Sequence, residues 1–147
     1  MKEGEFCVTA PPPKSYTHRA LIVAAMADGV STIKNPLYSG DTLVTCRALR
    51  ALGAGISQEP GMLRITGCSG HFSGGKMMTH DMENSGTSFR LLTAAALLCP
   101  QPVIFTGSPR MQERPVGHLV EALNSIGGRI RYLSNAGYPP VLVEGTL

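Results

Sequence analysis

The chain has 147 residues with a formal charge of +3, and only 16% of them are charged, which argues for a folded domain with one substantial core or two small ones and against disorder. With 43% hydrophobic residues, 5% aromatic and no Trp, that core must be mainly aliphatic. The mild positive balance suits small anionic ligands, and no basic run points to a nucleic-acid surface.

Residues 6–10 predict a short strand. Pro11, Pro12 and Pro13 then stiffen the approach to a helix over 15–27, with Ser15 its expected N-cap. Ala20, Leu21, Val23, Ala24, Ala25 and Met26 make that helix nearly all apolar, so burial of most of it is expected. Asp28 and Gly29 stop it, 30–34 reads as a strand, and 35–40 is a turn-rich loop. A second helix starts at Asp41, most simply its N-cap, presents Leu43, Val44, Cys46, Ala48, Leu49 and Leu52, and closes at Gly53. Strands 55–58 and 62–66 form a hairpin through Glu59, Pro60 and Gly61.

After a Gly-rich joint over 67–75 the same order recurs. It comprises a weak strand (76–82), a helix (86–98) centred on Ala94, Ala95 and Ala96, a strand (102–106), a helix (115–126) and a hairpin (129–133 with 140–144). Pro115 suits the first turn of its helix, and Met77 and Met78 read as core. Arg19, Leu21, Ala24 and Ala25 correspond to Arg90, Leu92, Ala95 and Ala96 at one constant offset. Leu49, Gly53 and Ile56 correspond to Leu123, Gly127 and Ile130 at a slightly larger one. The fold class is therefore α/β (α+β): two βαβαββ units, 1–67 and 68–147, with Ala-rich helices packed centrally and sheets outside.

Chemistry would collect at the helix starts. Lys14, Ser15 and Arg19 bring two cations and a hydroxyl to one face of a first turn, where N–H groups and the positive dipole end point outwards. That cluster reads either as a phosphate or carboxylate site or as a solvated helix start. Asn84, Ser85, Gly86, Thr87 and Ser88 precede Arg90; Gly86 admits close approach to the backbone and its neighbours add neutral donors, though ordinary turn and cap chemistry uses the same residues. Arg90 itself reads as structural, bonding loop carbonyls. Arg110 and Arg114 flank a strand-to-helix joint and divide into different tasks, with Glu113 able to pair with either. His18, His71, His80 and His118 have no metal-site spacing; His18 and His118 lie near cationic clusters as alternative ligands or bases.

Cys7, Cys46, Cys68 and Cys99 are widely spaced, matching neither a zinc pattern nor a disulfide framework, so free thiols and a cytoplasmic location are expected. No signal peptide or membrane span is expected either.

Three motifs share order and spacing with a known family. The run Lys14, Ser15, Tyr16, Thr17, His18, Arg19, Ala20, Leu21, the run Asn84 to Thr87 with Arg90, and the run Pro109, Arg110, Met111, Gln112, Glu113, Arg114, Pro115 resemble 5-enolpyruvylshikimate-3-phosphate synthases, as does Tyr138, Pro139, Pro140. The resemblance implies the inside-out α/β fold of enolpyruvyl transferases and transfer of the enolpyruvyl group of phosphoenolpyruvate to the 5-hydroxyl of shikimate 3-phosphate, with release of phosphate. It implies no metal and no organic cofactor. By resemblance, Lys14 and Asp41 would be catalytic; Lys14, Ser15 and Arg19 would hold shikimate 3-phosphate; and Lys14, Gly86 and Arg114 would hold phosphoenolpyruvate. Pro12 and Pro13 depart from the usual residues before the Lys-Ser pair. Only two of the family's repeat units are present, so the sequence reads as a partial N-terminal domain, expected to be inactive alone and to need the family's C-terminal domain as partner. The related UDP-N-acetylglucosamine enolpyruvyl transferases and a non-catalytic anion-binding or complementation module are the alternatives.

Overall fold

The computed structural model describes residues 10–73 and 77–145. The strand expected over 6–10 lies outside the described residues except for Ala10, and so do Cys7 and Lys76.

Pro13 is extended (φ −76°, ψ 129°), and its carbonyl accepts the first helical bond from Thr17 N–H at 3.1 Å, so α1 runs Lys14–Met26. The expectation that Ser15 caps this helix is corrected: Pro13 is the N-cap, no side chain caps the turn, and Ser15 is already helical. Proline fixes φ while keeping its carbonyl, so it can deliver the chain into the first turn without a side-chain acceptor. After β1 (Val30–Lys34), Ser39 rather than Asp41 caps α2 (Gly40–Ala51). Its hydroxyl accepts from Thr42 N–H at 3.3 Å while its own N–H donates to Thr42 Oγ1 at 2.9 Å, a reciprocal box that leaves Asp41 inside the turn. There its carboxylate suits the positive end of the helix.

Then follow β2 (Gly55–Glu59), β3 (Met62–Thr66), β4 (Met78–Asp81) and α3 (Gly86–Ala95), which tightens into a 3₁₀ turn over Ala96–Leu98. Beyond β5 (Val103–Thr106) a short helix not expected from sequence, α4 (Pro109–Gln112), uses Ser108 as cap and Pro109 in its first turn. Helix α5 (Gly117–Ser125) consequently begins after Val116 and not at Pro115. Strands β6 (Ile130–Tyr132) and β7 (Val141–Val143) close the described chain.

The sheet orders are β1-β3-β2 and β4-β5-β7-β6. In the second, β4 runs parallel to β5 and the other pairs are antiparallel; β5-β7-β6 repeats the arrangement of β1-β3-β2. Helices α1, α2 and α3 pack on one another. Leu21, Ala25, Leu49, Leu92 and Ala96 from the helices and Ile65, Val103, Phe105, Val141 and Val143 from the sheets are all buried. Phe89 meets Phe105 edge-on, centroids 6.2 Å apart at 64°, worth about 0.5–1.5 kcal/mol beyond area burial.

Burial of α1 is one-sided, which corrects the sequence expectation: Thr17, His18, Leu21, Ile22, Ala24 and Ala25 are inside, while Tyr16 and Val23 are exposed. Leu43 and Met77 are exposed too, whereas Met78 packs against the core. The joint after β3 closes the C-terminal end of α1. Cys68, Ser69 and Gly70 donate backbone N–H bonds of 2.8–3.0 Å to the carbonyls of Ala25, Ala27 and Met26, which satisfies acceptors the helix cannot satisfy itself. Only glycine fits at position 67, since a Cβ there would lie 2.1 Å from the Ala27 oxygen.

Candidate active site

Two pairs of contacts fix the directions of α1 and α2. Lys14 forms an ion pair with Asp41, and His18 Nδ1 lies 2.8 Å from Thr45 Oγ1. Each second contact is four residues further along both chains, so the helices run parallel with their first turns level. Helices α1 and α3 are parallel as well. A cleft lined by Ser15, Arg19, Gly86, Thr87, Arg90 and Leu91 opens at their N-terminal ends, and an apolar groove between Ile22, Met26, Ala94 and Leu98 follows towards their C-terminal ends. Three first turns therefore converge, and their positive dipole ends sum at one place.

The cleft, about 240 Å³ in volume, joins cationic and backbone donors from both repeats. Arg19 is exposed and stacks near the Tyr16 ring at 5.9 Å. Arg90 Nη1 donates to the Gly86 carbonyl at 3.2 Å and Nη2 to the Pro115 carbonyl at 3.0 Å. This is the carbonyl-bonding role expected of Arg90, although its side chain also lines the cleft. Arg114 Nη1 donates to the Asn84 carbonyl at 3.3 Å. Ser108 Oγ donates to Asn84 Oδ1 at 2.6 Å, and Ser108 N–H donates to the Glu83 carbonyl at 3.0 Å. Ser108 thus holds the loop before α3 in place.

Of the residues singled out from sequence, Ser15, Arg19 and Gly86 come together at the cleft, with Arg114 against Gly86. Lys14 and Asp41 meet each other at the adjoining α1–α2 seam. Arg110 is exposed, and Glu113 joins none of the ion pairs among the described residues. His118 is exposed, and His18 is wholly buried.

Behind the first turns runs a line of buried polar groups. Thr45 Oγ1 lies 2.8 Å from Ser88 Oγ, and Ser88 Oγ lies 2.6 Å from Ser85 Oγ and 3.2 Å from the Asp41 carbonyl. Burial, and then the Lys14 charge, lowers the His18 pKa from its ordinary value, with Asp41 opposing. Sequence reading had no means of finding Thr45, because its partner lies 43 residues away; Ser85, by contrast, stands at a cap position.

A larger hollow of about 460 Å³ lies between α2 and β4, lined among others by Arg47, His80, Asp81 and Glu83. Arg47 is paired with Glu83 there, so the arginine's charge is already matched. The described cysteines, Cys46, Cys68 and Cys99, are free. Burial, and secondarily Cys68, pushes the Cys99 thiol up to about 11, which leaves it protonated and unreactive at neutral pH. Among the described residues no group of His, Cys, Asp and Glu is arranged to hold a metal ion, and no helix is long and apolar enough to cross a membrane.

Comparison with known proteins adds the family. A relative from Methanosphaerula palustris named 3-phosphoshikimate 1-carboxyvinyltransferase is 52% identical over 145 residues, 97% of this chain and 34% of that protein. One of the same name from Methanoculleus marisnigri is 51% identical over 94% of this chain and 33% of its own length. The solved EPSP synthase of Acinetobacter baumannii superposes with a TM-score of 0.86 at 30% identity, covering 94% of this chain and 31% of that one. The chain thus spans about a third of the length of the relatives it matches. The family model for EPSP synthase (3-phosphoshikimate 1-carboxyvinyltransferase) matches residues 3–147, and the chain belongs to that family.

Proposed function

We propose that the protein to which this chain belongs transfers the enolpyruvyl group of phosphoenolpyruvate to the 5-hydroxyl of shikimate 3-phosphate, and that this chain supplies one wall of the site. The observation that carries the reading is the convergence of the parallel α1 and α3 starts on a cleft bearing Ser15, Arg19, Gly86 and Arg90, with Lys14, Arg114 and the α2 residue Asp41 beside it. Both substrates are anionic, so bringing them together requires fixed positive charge and aligned dipoles to offset their repulsion.

In this reading Lys14, Ser15 and Arg19 hold the shikimate phosphate, and Gly86 and Arg114 receive phosphoenolpyruvate. Gly86 leaves its backbone open to the ligand between two guanidinium groups. Lys14 contacts both substrates and stabilises the departing phosphate; Asp41 orients the Lys14 ammonium and lines the site. The 147 residues alone bind weakly and do not turn over, because groups from the opposing domain are needed to surround the reacting atoms. Product formation assayed on the isolated chain tests this: none is expected, and turnover without a partner would refute the half-site reading. Shikimate 3-phosphate binding that is lost in Arg19→Ala tests the assignment of the wall itself.

A further inference from the structure

The buried polar line behind the first turns has a direction. His18 is fully buried, with Nδ1 2.8 Å from Thr45 Oγ1 and Nε2 without a hydrogen-bond partner among the described residues. Were the proton on Nε2, a donor would be buried with no acceptor, and Nδ1 could only receive the Thr45 proton. With the proton on Nδ1, every donor is used. His18 Nδ1–H donates to Thr45 Oγ1, Thr45 O–H to Ser88 Oγ at 2.8 Å in preference to the Asp41 carbonyl at 3.4 Å, Ser88 O–H to the Asp41 carbonyl at 3.2 Å, and Ser85 O–H to Ser88 Oγ at 2.6 Å. The Nε2 lone pair is then the one buried nitrogen acceptor of the line with no donor among the described residues. An unpaired buried N–H is the rarer orphan. Burial and the nearby Lys14 charge both favour the neutral ring, with Asp41 opposing.

The members sit within about one turn of the cleft residue Gly86 and of the Lys14–Asp41 pair at the seam beside it. His18 follows Lys14 by one turn on α1, Thr45 follows Asp41 by one turn on α2, and Ser88 stands two residues after Gly86 on α3. We propose that the chain His18–Thr45–Ser88–Ser85 is the positioning device of the anion site: neutral His18, protonated at Nδ1, points the hydroxyls one way and locks the first turns of α1, α2 and α3 at a common depth. Lys14, Asp41 and Gly86 are thereby held against one ligand, although none of the four positioning side chains touches it. The inference rests on the proposed reading of this end of the molecule as a phosphate-recognising site.

The test combines a ring spectrum with a binding series on the 147-residue chain. Long-range proton–nitrogen correlation of the histidine rings at neutral pH is expected to show His18 neutral with Nδ1 protonated. An Nε2–H tautomer or an imidazolium overturns the proposal. Inorganic phosphate is then titrated and followed by amide shifts at Lys14 to Arg19 and Gly86. Thr45→Val, which removes the hydroxyl and keeps the shape, is expected to weaken binding roughly fivefold, the worth of one net hydrogen bond. Thr45→Ser, which keeps the hydroxyl and loses a methyl group, is expected to bind as the unsubstituted chain does. Ser88→Ala gives a second break in the line should Thr45→Val not fold. Equal phosphate affinity in a folded Thr45→Val or Ser88→Ala chain overturns the positioning role while leaving the function reading intact. Failure of the unsubstituted chain to bind phosphate overturns the reading of this wall as a phosphate site, and the ring spectrum still decides the direction of the hydroxyl line.

Discussion

Arg90 and Arg114 close on Gly86 from two sides: a Cβ built on that glycine would lie 2.9 Å from Arg90 Nη1 and 3.0 Å from Arg114 Nη1. The glycine is not in the left-handed region, so its value lies in space, not in backbone freedom. Gly86→Ala should still fold, at a stability cost of no more than about 1 kcal/mol for a displaced Arg90 bond, since alanine favours a helix start and both neighbours are flexible side-chain ends. It should displace the two guanidinium groups and weaken phosphoenolpyruvate binding by roughly tenfold, the equivalent of about 1.4 kcal/mol. Calorimetric titration beside a thermal melt checks both halves of this prediction.

Arg90 spans two carbonyls, Gly86 on its own helix and Pro115 on the loop before α5. A lysine carries the charge but not the fork, and it cannot reach both at once. Arg90→Lys should destabilise the fold by about 1 kcal/mol, one net hydrogen bond, measurable as a lower denaturation midpoint with an unchanged slope. An unchanged midpoint would show that the Pro115 bond is not made in solution.

The two helix caps make opposite predictions for chemically similar serines. Ser39 closes a reciprocal box at α2, so Ser39→Ala should cost about 1 kcal/mol. Ser15 caps nothing, so Ser15→Ala should leave stability nearly unchanged and act on ligand binding alone. Urea unfolding of the two variants side by side distinguishes them.

His18 and His80 both have pKa values lowered by burial from the ordinary 6.5, His18 also by Lys14. The unfolded chain then binds more protons than the folded one as pH falls through 6.5, so stability rises with pH and is lost on acidification. The loss begins near that ordinary value and levels off below the folded pKa. His80 stacks on Phe105 at 5.7 Å, and its buried Nε2 has no hydrogen-bond partner among the described residues, so His80→Leu should flatten part of the slope. Melting temperatures across mildly acidic to neutral pH supply the check; equal slopes in both proteins would rule out the His80 contribution.

Much of the element order was legible because glycine stops and apolar periodicity carry it: Gly53, Gly127 and the matched Arg19 and Arg90 carry the expected repeat in the sequence alone. The convergence of Ser15, Arg19 and Gly86 was also legible, since helix starts at equivalent repeat positions must face the same way. The caps were not. Whether Pro13 or Ser15 is the last non-helical residue depends on the backbone angles of two residues, and the Ser39 cap of α2 lies in the stretch that reads as a turn-rich loop. Helix α4 was missed because Pro115 offered as good a helix start as Pro109. Burial of His18 beneath Lys14, and the hydroxyl line through Thr45, depend on contacts between helices far apart in sequence, which no local pattern records.

In the proposed function the first turns of α1 and α3 form one anion-binding wall. Titrating shikimate 3-phosphate into the isotope-labelled chain, followed by amide shifts, tests it most directly. Shifts confined to Lys14 through Arg19 and the start of α3, abolished by Arg19→Ala with the rest of the spectrum unchanged, are the predicted result. A folded chain with no localised shift, or with shifts centred on the hollow between α2 and β4, would contradict it.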